Sequence, residues 1–227
     1  MDISCVCITY NRQEKVKSLI ELLRKFHGDN LEIVCVSDGC NPKPDVEHMC
    51  NKFIWQEDLG NRTATARNAG ILATTNEKIC MLDDDIEPHP LNLQAHSLCL
   101  EMYDLSYGLL PEGGWHRVFD SRTRFYFDET ELLWKFSFTG NMAMRRSAFD
   151  KIGPFDERFN GGHGFEDIDW GFRAKQAGLR THFNQLAMAL HPQSHHASDE
   201  EFEPVLINRN KFHEKWEGAL ENGVEIR

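Results

Sequence analysis

The sequence predicts an α/β fold: a single domain with a mostly parallel central sheet flanked by helices and a smaller antiparallel portion. Strand and helix patterns alternate through residues 1–103, and the strand patterns are near-continuous apolar runs, as in sheets buried on both faces. The 227 residues are enough for one full hydrophobic core. With no repeat or clear linker, we predict one domain, 1–227, made of a first half 1–103, a second half 104–200 and a C-terminal helix 201–227.

The first half contains the clearest alternation. Its predicted strands are rich in β-branched and other apolar residues and cover Ile3–Thr9, a run from Leu31, Lys52–Trp55 and Lys78–Leu82. Asn11 is a predicted N-cap, with Glu14 three residues later. The helix that follows carries its apolar face on Val16, Leu19, Ile20, Leu23 and Phe26. A second helix is predicted from Asn61 to Ala73.

The rest of the chain is less regular. We predict strands at Ser106–Leu110, Thr123–Phe127, Phe136–Ala143, Arg180–Phe183 and Leu186–Leu190. Helices are predicted at Pro88–Tyr103, Phe165–Ala177 and Glu200–Leu220, the last with a buried side formed by Phe202, Leu206 and Trp216. Between them, the glycines of GGHG allow the backbone to hinge or to approach a ligand closely.

Composition and charge exclude several classes of function. The formal net charge of −11 disfavours nucleic acid or an anionic membrane as the main partner, because both attract clustered Lys and Arg. An anionic small molecule stays compatible if a metal ion lies between it and the protein. No apolar run approaches the roughly 18 residues that span a bilayer, and the start MDISCVCITY has no leader signature. The seven cysteines form no CxxC pair, so we expect reduced cysteines in a soluble, cytoplasmic protein.

Polar side chains follow the ends of the predicted parallel strands. In ICMLDDDIEP a buried strand runs directly into Asp83, Asp84 and Asp85. Since ligands of such sheets bind beyond the carboxyl ends of the strands, we expect these aspartates to meet Asp38 and Asn11 at one edge. Adjacent carboxylates are tolerated when a hard divalent cation neutralises them. A solvated acidic turn is the alternative interpretation.

Two further segments carry candidate chemistry. In NGGHGFEDIDWGF a glycine-rich loop precedes Glu166, Asp167 and Asp169 at a predicted helix start, where the helix dipole favours carboxylates. Such acids are ordinary at a helix start, but this arrangement also holds general bases at the rim of a cleft. In ALHPQSHH, His191 directly follows a strand and could complete a metal site with aspartates. The later HH pair is expected to face solvent.

Six ordered blocks match one known family. They are VCITYNR, LEIVCVSDGC, ATARNAGI, CMLDDDIEP, TGNMAMRRSAFDKIGPFDERF and GFEDIDWGFRAKQAGLR. Through these blocks the chain resembles the family 2 glycosyltransferases of the GT-A fold from Ile3 to about His191. The resemblance implies a Rossmann-like nucleotide-binding half at 1–103 and an acceptor-binding and catalytic half at 104–200.

The resemblance also implies which residues bind the nucleotide sugar. They come from the end of the first strand, the SDG and ARNAG segments, the aspartate triplet and the TGN turn, and they are Thr9, Tyr10, Asn11, Arg12, Asp38, Arg67, Asn68, Asp83, Asp84, Gly140 and Asn141. Asp38 corresponds to the acid that hydrogen-bonds the base, usually uracil. Many relatives have two acids there, and Ser37 replaces the first, which leaves the identity of the base open.

A second implied set concerns the metal and the chemistry. Asp83 and Asp85 match the DxD motif, and His191 matches a late histidine that often ligates the metal. Mn²⁺ is favoured over Mg²⁺ because a mixed carboxylate and imidazole site suits it better. Asp167 matches the catalytic base, with the neighbouring Glu166 as the alternative base or an acceptor ligand.

We therefore expect a metal-dependent inverting glycosyltransferase. It would move a sugar from a nucleoside-diphosphate sugar to a hydroxyl of a glycan or a glycolipid, the latter reached by transient membrane association. Asp38 favours UDP over GDP, and dTDP would make the same hydrogen bonds. Aromatic faces suit the apolar side of a sugar ring, so either acceptor stacking or burial in the core is expected of Trp115, Trp134, Phe165 and Trp170.

Two other functions stay open. A nucleotidyltransferase that makes a nucleotide sugar would share a similar sheet, but it should carry a glycine-rich phosphate loop after the first strand, and ITYNRQEK has no glycine. A non-catalytic nucleotide-sugar-binding module should have lost part of the site, whereas Asp85 and Asp167 are both present. Release of nucleoside diphosphate from nucleotide sugars distinguishes the three.

Overall fold

The computed structural model describes residues 1–39, 45–111, 134–192 and 199–217 of the protein. Eight strands lie in these ranges: β1 (Ile3–Thr9), β2 (Glu32–Asp38), β3 (Lys52–Gln56), β4 (Lys78–Asp83), β5 (Glu87–Pro88), β6 (Leu105–Leu109), β7 (Asn141–Arg145) and β8 (Thr181–Leu190). The helices there are α1 (Gln13–His27), α2 (Thr63–Ala73), α3 (Asn92–Cys99), α4 (Arg146–Ile152), α5 (Glu166–Gln176) and α6 (Asp199–Lys215).

The strands form one mixed sheet in the order β3-β2-β1-β4-β7-β6-β8-β5. β3, β2, β1 and β4 run parallel, β7 runs antiparallel between β4 and β6, and β6 pairs in parallel with β8. Ile8 lies opposite Asp83, and Thr9 lies opposite Ser37, so the carboxyl ends of β1, β2 and β4 meet at one edge. The predicted α/β class, with its smaller antiparallel portion, is confirmed.

Helices pack on both faces of this sheet. On one face, Leu19 and Leu23 of α1 pack into a core with the buried Cys5 and Cys7 of β1. On the other face, α2, α4 and α5 contribute a second core that includes Trp170. Fully burying a large apolar side chain contributes about 1.5–3 kcal/mol, and burial from both sides explains the continuous apolar runs of the strands. Cys5 and Cys7 thus pack in the first of these cores as small hydrophobes.

The C-terminal helix α6 packs against α5. Phe212 of α6 is fully buried in an aromatic cluster that includes Phe165 and Phe172. Beside it, the buried carboxylate of Asp169 accepts from Lys215 Nζ at 2.6 Å, Arg173 Nε at 2.9 Å and Trp216 Nε1 at 2.9 Å. A buried carboxylate needs this many partners to offset its desolvation, so these contacts fix the position of α6 against α5.

Some predicted boundaries of the first half were wrong. The N-cap of α1 is Arg12, which makes no side-chain capping bond, and Asn11 instead adopts a left-handed conformation with φ of 52°. The predicted capping box therefore does not form, because the chain turns at Asn11 before the helix begins. The helix predicted at Pro88–Tyr103 is shorter: only α3 is regular.

The second half departs further from prediction. The strand predicted at Phe136–Ala143 lies later, as β7, and α4 directly after it was not predicted. Aromatic residues are as compatible with a packed turn as with a strand, and Trp134 to Phe136 form such a turn. The two strands predicted between Arg180 and Leu190 are one strand, β8, whose pairing with β6 shifts register at Gly108.

Several predictions concern residues outside the described ranges. These are the strand at Thr123–Phe127, Trp115, the HH pair after Ser194, the side chain of Phe202 and the end of the predicted C-terminal helix. Within α6, Leu206 and Trp216 are partly buried, whereas the fully buried Phe212 was missed. In the part of the chain that the structure describes, no helix combines the length and apolar character needed to cross a bilayer.

Candidate active site

A cleft of about 760 Å³ opens at the carboxyl edge of the sheet. The ends of β1, β2 and β4 form its floor, and the starts of α2 and α5 form two of its walls. The cleft brings together most of the residues that the sequence singled out, namely Tyr10, Arg12, Asp38, Arg67, Asp83, Gly140, Glu166, Asp167 and His191. The predicted convergence of strand-end polar residues at one edge is therefore observed.

The backbone is strained at two points beside this cleft. Among the described residues, Asn11 and Phe165 are the non-glycine residues with positive φ, at 52° and 69°. Asparagine tolerates the left-handed region through local hydrogen bonding, whereas phenylalanine does so at a cost. Asn11 lies where β1 ends, and Phe165 directly precedes α5. Such strain persists only where surrounding contacts enforce it, and it is concentrated at functional sites.

The three consecutive aspartates point in different directions. Asp83 directs its carboxylate into the cleft, 3.9 Å from Arg67 Nη2. Asp84 points into the interior, where its Oδ1 lies 2.8 Å from Arg12 Nη2. Burial raises the pKa of Asp84 to about 6, although Thr9 and Arg12 oppose the shift. Alternating side-chain directions thus separate the three charges.

Asp85 forms the most heavily paired carboxylate of the triplet. Its Oδ2 lies 2.6 Å from Arg12 Nη1 and 3.9 Å from Lys15 Nζ, and its Oδ1 lies 3.6 Å from His191 Nε2. Burial acts to raise the pKa of Asp85, but the neighbouring His191 imidazole and the charge of Arg12 outweigh it and lower the pKa to about 2. Asp85 therefore stays ionised at any ordinary pH.

The Asp85 and His191 pair fits part of a divalent-cation site. A 3.6 Å separation of Oδ1 and Nε2 allows both atoms to approach one cation at ligand distances of about 2.1 Å. Within the described ranges, however, no three acidic, histidine or cysteine side chains converge as a ready-made metal site. The predicted set of Asp83, Asp85 and His191 is not brought together, because Asp83 turns towards Arg67.

The other wall of the cleft is built around the buried Arg67. Its guanidinium forms an ion pair with Glu166 at the start of α5 and also faces Asp83. The guanidinium carbon of Arg67 lies 5.8 Å from the centroid of the Phe155 ring. Glu166 is therefore held in place as the ion-pair partner of a buried cation.

Asp167 has a different environment from its neighbour. Its side chain reaches the cleft, and its Oδ1 accepts a hydrogen bond from the Ile168 backbone N–H at 2.7 Å. Burial and the nearby charge of Glu166 raise the pKa of Asp167 to about 7, against the opposing effect of Arg67. A carboxyl group that titrates near neutrality is suited to accept a proton during a reaction at physiological pH.

Asp38 lies buried at the end of β2 and is held by a residue that the sequence analysis missed. Its Oδ2 accepts from the Arg62 backbone N–H at 2.9 Å, and its Oδ1 lies 3.3 Å from Arg62 Nη2. Burial raises the pKa of Asp38 despite these contacts. Arg62 immediately precedes α2, and no local motif marks it, because its contact with Asp38 depends on how α2 lies on the sheet.

Two predicted nucleotide-sugar ligands lie away from the cleft. Asn68 Nδ2 donates to the Phe155 carbonyl at 2.9 Å, and its Oδ1 accepts from the Phe155 N–H at 2.8 Å. Asn141 Nδ2 donates to the carbonyls of Leu109 and Ala187 at 3.0 and 2.9 Å. Both amides are consumed in holding backbone segments together, so their observed contacts are structural.

The structure places several other candidate residues away from the cleft surface. Thr9 and Asp84 lie behind the cleft surface rather than on it. Trp134 and Trp170 are buried, and Phe165 is nearly buried. Their burial favours a role in the core over stacking on an acceptor sugar. The cleft also contains lining residues that no motif indicated, namely Asn61, Thr63, Leu110, Phe138, Thr139 and His163.

Comparisons with known proteins agree with this arrangement. A family model described as Glycosyl transferase family 2 matches residues 4–155, and one described as N-terminal domain of galactosyltransferase matches residues 126–196. Validoxylamine A glucosyltransferase of Streptomyces hygroscopicus subsp. limoneus is 24% identical over 261 residues, covering 96% of this chain and 57% of that protein. The putative glycosyltransferase EpsH of Bacillus subtilis is 36% identical over 95 residues, covering 38% of this chain and 27% of that protein.

Solved structures share the fold. S. aureus TarS 1–349 in complex with UDP-GlcNAc has a TM-score of 0.65 and 16% identity, covering 94% of this chain and 67% of that one. The chain spans 57% and 62% of the lengths of the two validoxylamine A glucosyltransferases that it matches. Since the first family model covers well over half of the sequence, including the aspartate triplet and the start of α2, the chain belongs to glycosyl transferase family 2.

Proposed function

We propose that this protein transfers a sugar from a nucleoside-diphosphate sugar to a hydroxyl group of a carbohydrate or glycolipid acceptor, with inversion at the anomeric carbon. The observation that carries the proposal is that one cleft contains both Asp83, on the donor side, and Asp167, a carboxyl group whose pKa is raised to about 7. UDP is the favoured nucleotide. In its support, TarS structures hold UDP and UDP-GlcNAc, and Asp38 supplies the acceptor atoms that a uracil N–H requires.

In the proposed reaction, Asp167 accepts the proton of the acceptor hydroxyl. The acceptor oxygen attacks the anomeric carbon from the face opposite the diphosphate, a new C–O bond forms, and the bond between that carbon and the diphosphate oxygen breaks. Orienting the two substrates in one cleft lowers the entropic cost of the step. The cations Arg67 and Arg12, which line the cleft, lie where they can counter the charge of the diphosphate.

We assign a divalent cation, Mn²⁺ before Mg²⁺, to Asp85 and His191. The two atoms that face each other, Asp85 Oδ1 and His191 Nε2, are a hard and a borderline ligand of such ions. When bound, the cation would supply charge neutralisation for the leaving diphosphate. Arg12 currently balances Asp84 and Asp85, so its guanidinium is the group that must yield some of this pairing when a cation binds.

The two alternative functions receive less support. A nucleotidyltransferase needs a phosphate-cradling loop after β1, and the strained Asn11 turn leads into α1 without a glycine. A non-catalytic binding module would not need Asp167, a carboxyl group outside the donor site whose pKa lies near neutrality. Neither rival accounts for Glu166 and Asp167 having such different environments.

Metal dependence is the first test of the proposal. Release of UDP from UDP-sugars, with water or a glycan as acceptor, is expected in the presence of Mn²⁺ and should fall by about 10²-fold or more in EDTA, since metal ions contribute several kcal/mol of charge stabilisation. Adding excess Mn²⁺ back controls for damage to the protein. Undiminished UDP release in chelator would contradict the metal assignment, and no release from any nucleotide sugar would contradict the transferase itself.

A second prediction concerns Gly140, which packs against the aspartate in the cleft. A Cβ at this position would lie 2.7 Å from Asp83 Oδ2, so Gly140→Ala must displace that carboxylate. Crowding of this kind costs about 1–3 kcal/mol, and we expect the affinity for UDP with Mn²⁺ to fall about tenfold. Calorimetry measures the affinity, and a thermal melt checks that the fold is intact. An unchanged affinity would remove Asp83 from the donor site.

A further inference from the structure

We infer that Asn208 of α6 is a positioning residue: its buried amide holds the loop ahead of Asp167 in the shape that presents Asp167 to the cleft. The inference rests on the proposed function. α6 begins at Asp199, beyond the regions 4–155 and 126–196 that the two family models match. Asn208 therefore lies in a part of this chain for which the family match provides no role.

One side-chain amide contacts both ends of the loop that precedes α5. Asn208 is fully buried, and its Nδ2 donates to the Phe159 carbonyl at 2.8 Å and to the Gly164 carbonyl at 2.7 Å. These two carbonyls bracket the glycine-rich segment. A single planar group thereby fixes the distance between the loop's beginning and its end.

The loop in turn is shaped to lie flat on this amide. A Cβ added to Gly162 would lie 2.3 Å from Asn208 Oδ1, so only glycine leaves room for the amide at this position. The backbone N–H of His163 donates to the Pro204 carbonyl of α6 at 3.1 Å. Lys211 Nζ, about one turn further along the helix than Asn208, donates to the Asn160 carbonyl within the loop at 3.3 Å and to the Arg158 carbonyl just before it at 2.8 Å. Three successive turns of α6 thus hold one loop.

The conformation that this contact enforces is a costly one. The loop leads into Phe165, whose φ of 69° is unfavourable for a phenylalanine, and α5 begins at the next residue with Glu166 and Asp167. Phe165 also packs on Phe212 of α6, with ring centroids 5.9 Å apart. Strain of this kind needs enforcing contacts, and α6 supplies them. Without them, we expect the start of α5 to relax and Asp167 to shift.

The test uses an isosteric change and a matched control. Asn208→Asp keeps the shape but presents oxygens to the Phe159 and Gly164 carbonyls, and Asn210→Asp makes the same change at an exposed position of the same helix. In Asn208→Asp we expect backbone amides of residues 161–169 to exchange hydrogen about tenfold faster. The turnover number for UDP-sugar hydrolysis should fall about 10- to 100-fold, because small misplacements of reacting groups cost this much. Asn210→Asp should match the wild type.

The affinity for UDP with Mn²⁺ separates positioning from general damage. It should stay within about twofold of the wild type in Asn208→Asp, because Asp38, Asp83 and Asp85 lie at or just after the ends of β2 and β4, outside residues 161–169. Unchanged hydrogen exchange, or faster exchange with an unchanged turnover number, would overturn the inference. If Asn208→Asp does not fold, Gly162→Ala crowds the same contact from the loop side and must give the same pattern. If the wild-type protein releases UDP from no nucleotide sugar, the proposed function fails, and the exchange rates alone decide whether Asn208 holds the loop.

Discussion

Asp167→Asn is expected to lower the turnover number for sugar transfer by about 10²- to 10⁴-fold, the usual contribution of a general base. Asparagine keeps the size of the side chain and can still accept the hydrogen bond that Ile168 donates at the start of α5. It cannot accept the proton of the acceptor hydroxyl. The measurement is the initial rate of UDP release at saturating donor, with the exposed Asp150→Asn as a matched control. A turnover number within about threefold of the wild type would remove Asp167 from the mechanism.

The pH dependence of the same rate provides an independent check. Because the pKa of Asp167 is raised to about 7, its carboxyl is protonated and inactive as a base below that value and ionised above it. The turnover number of the wild type should therefore rise as pH increases through about 7 and then level off. This rise with pH should disappear in Asp167→Asn, because the variant lacks the carboxyl group whose ionisation causes it. A rise that persisted unchanged in the variant would assign the titration to another group.

Asp85→Asn is expected to act on binding. It removes the negative charge of a carboxylate whose Oδ1 faces His191 and whose Oδ2 faces Arg12. Changes around metal ligands commonly cost 10- to 100-fold in metal affinity. For a direct ligand we therefore expect a loss of about 100-fold or more for Mn²⁺ and UDP together. The exposed Asp29→Asn is the matched control. Calorimetric titration of UDP in the presence of Mn²⁺ measures the loss. Wild-type affinity in Asp85→Asn would exclude Asp85 as a ligand.

The sequence was informative about what lies at the edge of the sheet. A continuous apolar run that ends in acids, such as ICMLDDD, predicts both a buried parallel strand and a polar group beyond its end, and Asp83 lies there. The same reasoning predicted Asp38 at the end of β2. These inferences succeed because strand direction in a parallel sheet brings every carboxyl end to one edge, whatever the loops do.

Side-chain direction and long-range pairing were beyond such reasoning. Asn68 and Asn141 follow recognisable motifs, but their amides bind the backbones of Phe155, Leu109 and Ala187 instead of facing the cleft. Partners from distant segments become visible only when the helices are packed on the sheet. The contact of Arg62 with Asp38 is one such case. The contact of Asn208 with the glycine-rich loop before α5 is another, because Asn208 lies 44 residues from Gly164.

The proposed function divides the work between two carboxyl groups. Asp85, which faces His191 of the cleft, would hold the donor through a cation, and Asp167 would take the acceptor's proton. The most direct test is calorimetric titration of UDP with Mn²⁺ into Asp167→Asn, run beside Asp85→Asn. We predict that Asp167→Asn binds UDP within about twofold of the wild type while its turnover is lost, and that Asp85→Asn loses binding. Loss of UDP binding in Asp167→Asn as complete as in Asp85→Asn would contradict the claim and remove the general-base assignment.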